Sequence, residues 1–310
     1  PELGLRLQRG AHRVNGSVHP GGGDRLWRGL VIGAPYAWLL LFFLAPFVIV
    51  LKISFADPIV AQPPFTPFFD WTAHAGHRVL ATLDNYRFLL EDKLYLISYL
   101  RSIKIALVST ALCLLLGFPM AYAIARTPQP WRNLLLLLVV LPFWTSFLLR
   151  IYALMVTLGQ HGLINQLLLA LGLIHEPLTM LYTNGAVYLG IVYSYLPFMI
   201  LPLYASLEKL DPDVHEAAAD LGAKPLQVFY DVTLPLALPG IIAGSLLVFI
   251  PALGEFVIPE LLGGLDSLMI GRTLYEEFFV NRDWPLACAV AIILLLILLL
   301  PIMLFQHLQQ

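Results

Sequence analysis

The sequence predicts an all-α integral membrane fold with six crossing helices. One reason is composition. Hydrophobic residues make up 59% of the 310 and charged residues only 12%, half the roughly 25% charge of a soluble domain. A second is run length: six apolar stretches reach the ~20 residues needed to cross a ~30 Å hydrocarbon layer. A third is proline inside several of them (Pro46, Pro119, Pro142, Pro197, Pro202, Pro251, Pro301). Membrane helices tolerate it where packed neighbours satisfy the freed backbone groups.

Residues 1–29 are rich in Gly and Arg and lack an apolar face, which predicts a flexible tail. The chain begins at Pro1, so residues are expected to precede it. The first apolar run is long and lacks a small-residue cleavage site, which argues against a cleavable leader. One transmembrane domain is expected over 30–308, with spans near 30–51, 103–125, 134–158, 186–207, 240–262 and 285–308. Between the first two, residues 83–104 carry apolar positions at helical spacing and predict an amphipathic helix leading into the second span. Residues 161–174 are apolar but too short to span, which suggests a re-entrant or surface helix.

Basic residues near the spans set orientation. Arg6, Arg9, Arg13, Arg25 and Arg28 lie in the tail, and Arg126 and Arg132 follow the second span. The loop after the third span has no Lys or Arg. Both termini are therefore expected in the cytoplasm. Arg78, Arg87, Lys93, Arg101 and Lys104 oppose this from the first outer loop, but long loops follow the rule less closely.

Several chemistries find no support. The chain lacks G-x-x-x-x-G-K-[ST], HExxH and GxSxG, so no nucleotide-hydrolysing, zinc-protease or serine-hydrolase signature is present. His161 and His175 are lone loop residues, and no catalytic residue is assigned. Cys113 and Cys288 sit in apolar runs and read as small buried hydrophobes, and no Cys/His grouping suggests a metal. A net charge of −2 gives nucleic acid no reason to bind.

A polar segment at 208–239 interrupts the apolar second half. Asp211-Pro212-Asp213 starts a helix: Asp caps, Pro suits the first position, and the second acid favours the positive end of the dipole. Gly222 is where that helix stops. Lys224-Pro225 opens a second short helix, and Pro235 is expected to end it. Ala217, Ala218 and Ala219 make a smooth surface on the first helix, and Leu226, Phe229 and Tyr230 an apolar face on the second. Helices this short are marginal alone, so the pair must pack on this chain or on another protein.

The spacing E-A-A, three residues, G, nine residues, V-x-L-P places Glu216, Ala217, Ala218, Gly222, Val232, Leu234 and Pro235 on a pattern. It resembles the signature loop of the membrane subunits of binding-protein-dependent ABC importers. Val232 stands where isoleucine is more usual. The stretches "LPFWTSFLLRIYA" (141–153), "GIVYSYLPFMILPLYASLEKLD" (190–211) and "LVFIPALGEFVIPELLGG" (247–264) are similar to the polyamine importers, particularly their putrescine permeases. The resemblance implies coupling helices that dock into an ATPase, with Glu216, Ala217, Ala218, Gly222, Leu226, Phe229, Leu234 and Pro235 at the contact. It implies a second homologous permease subunit, two ATPase copies carrying ATP and Mg, a periplasmic polyamine-binding protein, and the bacterial inner membrane. No cofactor is expected on this chain.

Ionisable groups in a span cost ~2.5–3.5 kcal/mol each on insertion scales. Arg150, Glu255 and Glu260 stand in the third and fifth spans. At ~1.5 Å per residue, Arg150 and Glu255 lie ~24 and ~22 Å from the cytoplasmic ends. Two readings compete. Glu255 and Glu260 draw in a cationic amine, helped by Trp144, Tyr188, Tyr195 and Phe198 through cation–π contact; or Arg150 pairs with a glutamate, Glu255 being the candidate, and fixes two helices together. Five residues apart on a regular helix, the glutamates point ~140° from each other. In the last outer loop Asp266, Glu276, Glu277 and Asp283 outnumber Arg272 and Arg282, and an acidic mouth would concentrate a cation. An ion-driven carrier or channel would share the spans and acids but would not need the 208–239 loop.

Overall fold

The computed structural model describes residues 22–67, 69–70, 78–79, 81–264 and 267–308. Arg6, Arg9, Arg13 and Asp266, noted above, lie outside them, as do the side chains of Arg25, Arg28 and Arg78. The chain divides at Leu51/Lys52 into two units. The first carries α1 (Gly22–Leu39) and a π turn (Leu40–Leu44) that leads into α2 (Ala45–Ile53). Helix therefore begins inside the stretch expected to be tail.

Early in the second unit come an isolated antiparallel bridge, Pro58 to Phe65, and a two-residue antiparallel ribbon, β1 (Phe69–Asp70) and β2 (Arg78–Val79). Then come α3 (Asp84–Glu91) and α4 (Lys93–Arg126). The helix expected over 83–104 is thus broken. Asp92 adopts extended backbone and its carboxylate accepts from the Leu94 N–H at 2.8 Å, capping a new helix. Asn85 anchors α3 by donating to Ser54 O at 3.1 Å and Ala56 O at 2.8 Å.

The stretch expected to span at 134–158 is also interrupted, as α5 (Trp131–Val140), a 3₁₀ turn (Leu141–Trp144) and α6 (Phe147–Leu158). The segment long enough to cross there is Phe147–Ala170, which takes in part of the 161–174 stretch expected to be re-entrant or at the surface, while Trp131–Trp144 is a shorter apolar helix. Pro142 supplies no N–H, and Thr145 is extended (φ −100°, ψ 150°). The short α7 (Leu163–Ala170) follows. Its fully buried Asn165 holds the turn by donating to Gly159 O and Leu178 O, at 3.1 and 2.9 Å, and accepting from Leu178 N–H.

Next come α8 (Asn184–Leu207), α9 (Pro212–Asp220), α10 (Pro225–Val228), a π turn (Phe229–Thr233) and α11 (Leu234–Leu253). The chain ends with α12 (Val257–Leu262), α13 (Ile270–Tyr275), a π turn (Glu276–Val280) and α14 (Trp284–Leu308). Six helical segments are long and apolar enough to cross a membrane: Val31–Ile53, Lys93–Arg126, Phe147–Ala170, Asn184–Leu207, Pro225–Leu253 and Trp284–Met303.

The core lies where α4, α8 and α11 meet. Cys113, Ala121, Met199, Ile200, Leu203, Ala237 and Val248 form one buried cluster there. Small residues permit the approach, as in membrane interfaces generally. A Cβ on Gly244 would lie 2.8 Å from Met199 Sδ and 3.1 Å from its carbonyl oxygen; one on Gly240 would lie 2.5 Å from Ser206 Oγ. Cys113 and Cys288 are buried and unpaired, as read from sequence.

Gly244→Leu should therefore force α8 and α11 apart at Met199. Overpacking of this kind costs about 1–3 kcal/mol or more. The expected outcome is a lower thermal midpoint and less monodisperse protein in detergent, with Gly244→Ala milder, both read by fluorescence-detected size exclusion after heating.

Candidate functional site

Two places gather the residues singled out by sequence: the α9–α10 elbow at one end of α11, and a cavity at its other end.

At the elbow, Asp211 accepts from Asp213 N–H at 3.1 Å and Pro212 takes the first helical position. Gly222 sits at φ +84°, the left-handed region that costs glycine little. Its N–H reaches Ala219 O at 2.9 Å, and Ala223 N–H reaches Ala218 O at 3.1 Å, the paired bonds of a Schellman cap. Gln227 Oε1 accepts from Lys224 N–H at 2.8 Å and starts α10.

Pro235 does not end the second helix. α10 continues through the π turn Phe229–Thr233 into α11, with Pro235 in the first turn of α11. A proline ring clashes with the carbonyl four residues back. The residue added by the π turn widens the helix at that point, so one helical rod passes through Pro235. Phe229 and Tyr230 meet with ring centres 5.3 Å apart, but the three residues expected to form one apolar face differ in exposure. Leu226 (72% exposed) and Tyr230 point out, while Phe229 packs edge-on against Phe118 of α4, ring centres 5.5 Å apart.

Glu216 and Ala217 are exposed, Ala218 is half-buried, Pro235 is exposed and Leu234 is half-buried. Leu221, 91% exposed at the tip, was missed; its place beside the Gly222 cap was the available signal. His215 was missed too. Its Nε2 lies 3.0 Å from Thr233 Oγ1 and ties α9 to the π turn. Such a contact joins residues 18 apart, and no local pattern announces it.

At the other end, α11 stops at Leu253, Gly254 is non-helical, and α12 starts at Val257. Glu255 occupies the gap. Its Oε1 accepts from the N–H groups of Phe256, Val257 and Ile258 at 3.1, 2.9 and 3.4 Å. Its Oε2 accepts from the Tyr195 hydroxyl. The carboxylate is buried, with three donors on Oε1 and one on Oε2. Glycines let the surroundings close in: a Cβ on Gly271 would lie 2.7 Å from Glu255 O, and one on Gly190 would lie 2.8 Å from Ile258 Cγ2.

Glu255, Tyr195 and Phe198 line a cavity of about 440 Å³ together with Phe143, Phe147, Arg150, Ser194 and Phe256. Phe143 and Phe198 pack with ring centres 5.0 Å apart, and Tyr195 and Phe198 at 6.1 Å. Arg150 and Glu255 thus reach one cavity, as their depths suggested. The expected ion pair between them does not form: no Arg150 nitrogen lies within 4.0 Å of a carboxylate oxygen among the described residues. The local N–H groups and Tyr195 have claimed Glu255 first. Arg150 instead lies over the rings of Phe143 and Phe147, 5.7 and 5.8 Å from their centres.

Glu260, Trp144 and Tyr188 do not line this cavity. Glu260 is half-exposed and pairs with Arg272 at 2.7 Å; Arg272 also holds Glu276 at 3.1 Å. Phe256 stacks on Tyr275, ring centres 5.0 Å apart, and Tyr275 meets Phe279 at 4.8 Å. Trp144 is 73% exposed, and Tyr188 packs against the cluster of Ile151, Ile191 and Ile258. Nearby, Asp283 accepts from Leu286 N–H at 3.0 Å. Burial first, and then Glu277, push its carboxyl above the usual range against the pull of that N–H.

Residues 113–310 match the family model described as "Binding-protein-dependent transport system inner membrane component". The chain is 40% identical over 279 residues, 90% of its length and 92% of the relative's, to the spermidine/putrescine transport system permease protein PotB of Salmonella typhimurium. It is 43% identical over 261 residues, 84% and 90% of the two chains, to PotB of Escherichia coli. A solved bacterial alginate ABC transporter, in complex with an alginate pentasaccharide-bound periplasmic protein, contains a chain that superposes with a TM-score of 0.65 at 20% identity. That match covers 93% of this chain and 95% of the other, a likeness of fold.

Tyr195→Phe removes one donor to a buried charged acceptor, a bond worth about 1.5–3 kcal/mol. The purified protein should melt lower in a thermal-shift assay. Glu260→Gln, at a half-exposed pair, should cost no more than about 1 kcal/mol.

Proposed function

The chain belongs to the inner membrane components of binding-protein-dependent transport systems, and on that footing we propose that it is the permease subunit of an ATP-driven importer carrying a polyamine, putrescine first, from periplasm to cytoplasm. The permease role is common to its relatives; the solute comes from their names and from the carboxylates described above. In this reading it pairs with a second homologous permease, docks two copies of an ATPase that hold ATP and Mg, and receives its solute from a periplasmic polyamine-binding protein. Both termini face the cytoplasm, as does the elbow.

One observation carries the importer reading. The elbow is capped at both helix starts and at its bend, yet it leaves Leu221, Leu226 and Tyr230 in the open. A polar loop with exposed apolar tips on a built frame fits a groove on a partner. From the elbow, the helical segment Pro225–Leu253 runs 29 residues, about 43 Å at 1.5 Å per residue, to the Glu255 break. Closure of the ATPase dimer would shift the elbow, and the rod would carry that shift to the cavity. Switching requires ATP and the loaded binding protein to prefer different states.

The cation route begins at the outer end. Glu260 and Glu276 share one Arg272, which leaves a surplus negative charge beside the stacked Phe256 and Tyr275. Glu255, Tyr195 and Phe198 lie further in.

Leu221→Asp should leave the fold intact, because the side chain is exposed, and abolish recovery of the ATPase when the tagged permease is purified. Gly222→Val, strained at φ +84°, should do the same. Full ATPase recovery with both variants would dismiss the elbow as the docking surface.

The solute is tested by uptake of radiolabelled putrescine and spermidine into vesicles holding the whole complex, with binding protein and ATP inside. ATP-dependent putrescine entry is expected, and entry driven by an ion gradient without ATP would favour a carrier. Glu255→Gln should lower uptake about tenfold, the worth of ~1.4 kcal/mol, and Glu260→Gln less, with assembly retained. Unchanged uptake in both variants would remove them from the route.

A further inference from the structure

Arg150 is 8% exposed, and its Nε and Nη1 are buried without any hydrogen-bond partner. A guanidinium keeps its charge at any pH a cell reaches. An unpartnered buried donor costs about 1–3 kcal/mol, and more when charged. The faces of Phe143 and Phe147 compensate in part, but aromatic faces supply no acceptor in the guanidinium plane. Glu255 lines the same cavity, but its carboxylate is turned to four other donors, three on Oε1 and one on Oε2. Ser194 Oγ, also on the cavity wall, is buried and unpartnered. The buried guanidinium donors of this cavity therefore lack acceptors, and the Ser194 hydroxyl beside them can donate or accept.

We propose that Arg150, with Ser194 beside it, is a receiving site for a carboxylate from outside this chain. The planar fork of a guanidinium matches a carboxylate, and a buried charge calls for an opposite one. A single negative charge balances Arg150 while Glu255 remains charged nearby; a dianion would not. The carboxylate is a side chain of the facing permease subunit or a group on the transported solute. The first source rests on the permease-pair reading above and fits a diamine cargo. With Arg150 neutralised across the interface, Glu255 is left as the ammonium-facing charge.

The test uses the whole complex in nanodiscs and the variants Arg150→Met and Arg150→Lys. Copurification of the second permease subunit is measured between about pH 5.5 and pH 8, and uptake of putrescine and of 4-aminobutyrate, an amine of similar length bearing a carboxylate, is measured in vesicles. Copurification does not depend on the solute, so failure of the polyamine reading leaves this test standing.

If the facing subunit supplies the carboxylate, Arg150→Met strands it buried and uncompensated. Burial then raises the pKa of that carboxylate, so copurification holds at low pH and falls about tenfold or more as pH rises. Wild type and Arg150→Lys stay flat. If the solute supplies it, copurification of Arg150→Met is flat with pH while KM for 4-aminobutyrate rises about tenfold and KM for putrescine does not. Wild-type copurification, pH profile and uptake of both solutes in Arg150→Met would overturn the proposal and leave Arg150 a packing residue.

Discussion

Breaking a helix inside an apolar bundle frees backbone N–H groups that no water can satisfy, and in this chain one carboxylate takes them. Glu255 accepts from three successive N–H groups at the start of α12 and from Tyr195. Each unsatisfied amide in such surroundings would cost several kcal/mol. That single residue allows the fifth crossing to stop at Leu253 and resume at Val257. It also explains why Gly271 and Gly190 approach so closely, since α13 and α8 pack directly on the break. The Glu255 carboxylate, which lines the same cavity as Arg150, is turned to those N–H groups and Tyr195 and makes no ion pair with it.

The two ends of α11 deal with irregular backbone in opposite ways. At Glu255 the helix is interrupted and a side chain takes over the free amides. At Pro235 the helix continues, and the π turn Phe229–Thr233 makes room for the ring. Thr233 adds its hydroxyl, within 3.0 Å of His215 Nε2. The break is a place where direction can change; the π turn preserves direction. In the proposed function, a displacement applied at the elbow would pass along α11, through Pro239 and Pro251, to the break at Gly254–Phe256 beside the cavity.

Much of this was legible in the residues. Apolar run length identified the crossings, because burial in lipid is a property of a stretch. Asp211, Pro212 and Gly222 announced the elbow, because capping chemistry is local. Depth counting brought Arg150 and Glu255 to one cavity. It did not tell whether they pair, since depth is one coordinate and says nothing of competing partners. A signal was present: an acid directly after Gly254 and just before a new helix is a capping position, and capping uses up a carboxylate. The 3₁₀ turn before Thr145, the break at Asp92 and the π turn at Phe229 were less legible. The break at Asp92 turns on one local cap, to Leu94 N–H, whereas the π turn at Phe229 has partners distant in sequence, Phe118 and His215. Pro235 misled because proline ends isolated helices, whereas here the neighbours hold the register open around it.

The charge arrangement separates attraction from selection along the proposed route. Around Arg272 two carboxylates meet one guanidinium, so this end of the proposed route is acidic, half-exposed and beside stacked aromatic rings. Charges so placed raise local cation concentration and are weakened by salt. Inside the cavity Arg150 and Glu255 are both buried, and the walls include Phe143, Phe147 and Phe198. In the proposed route such a buried cavity would favour a solute whose contacts replace its lost hydration, an ammonium meeting an acid already held by four donors. Affinity there would be modest, and a path that must release its solute on the far side needs it to be so.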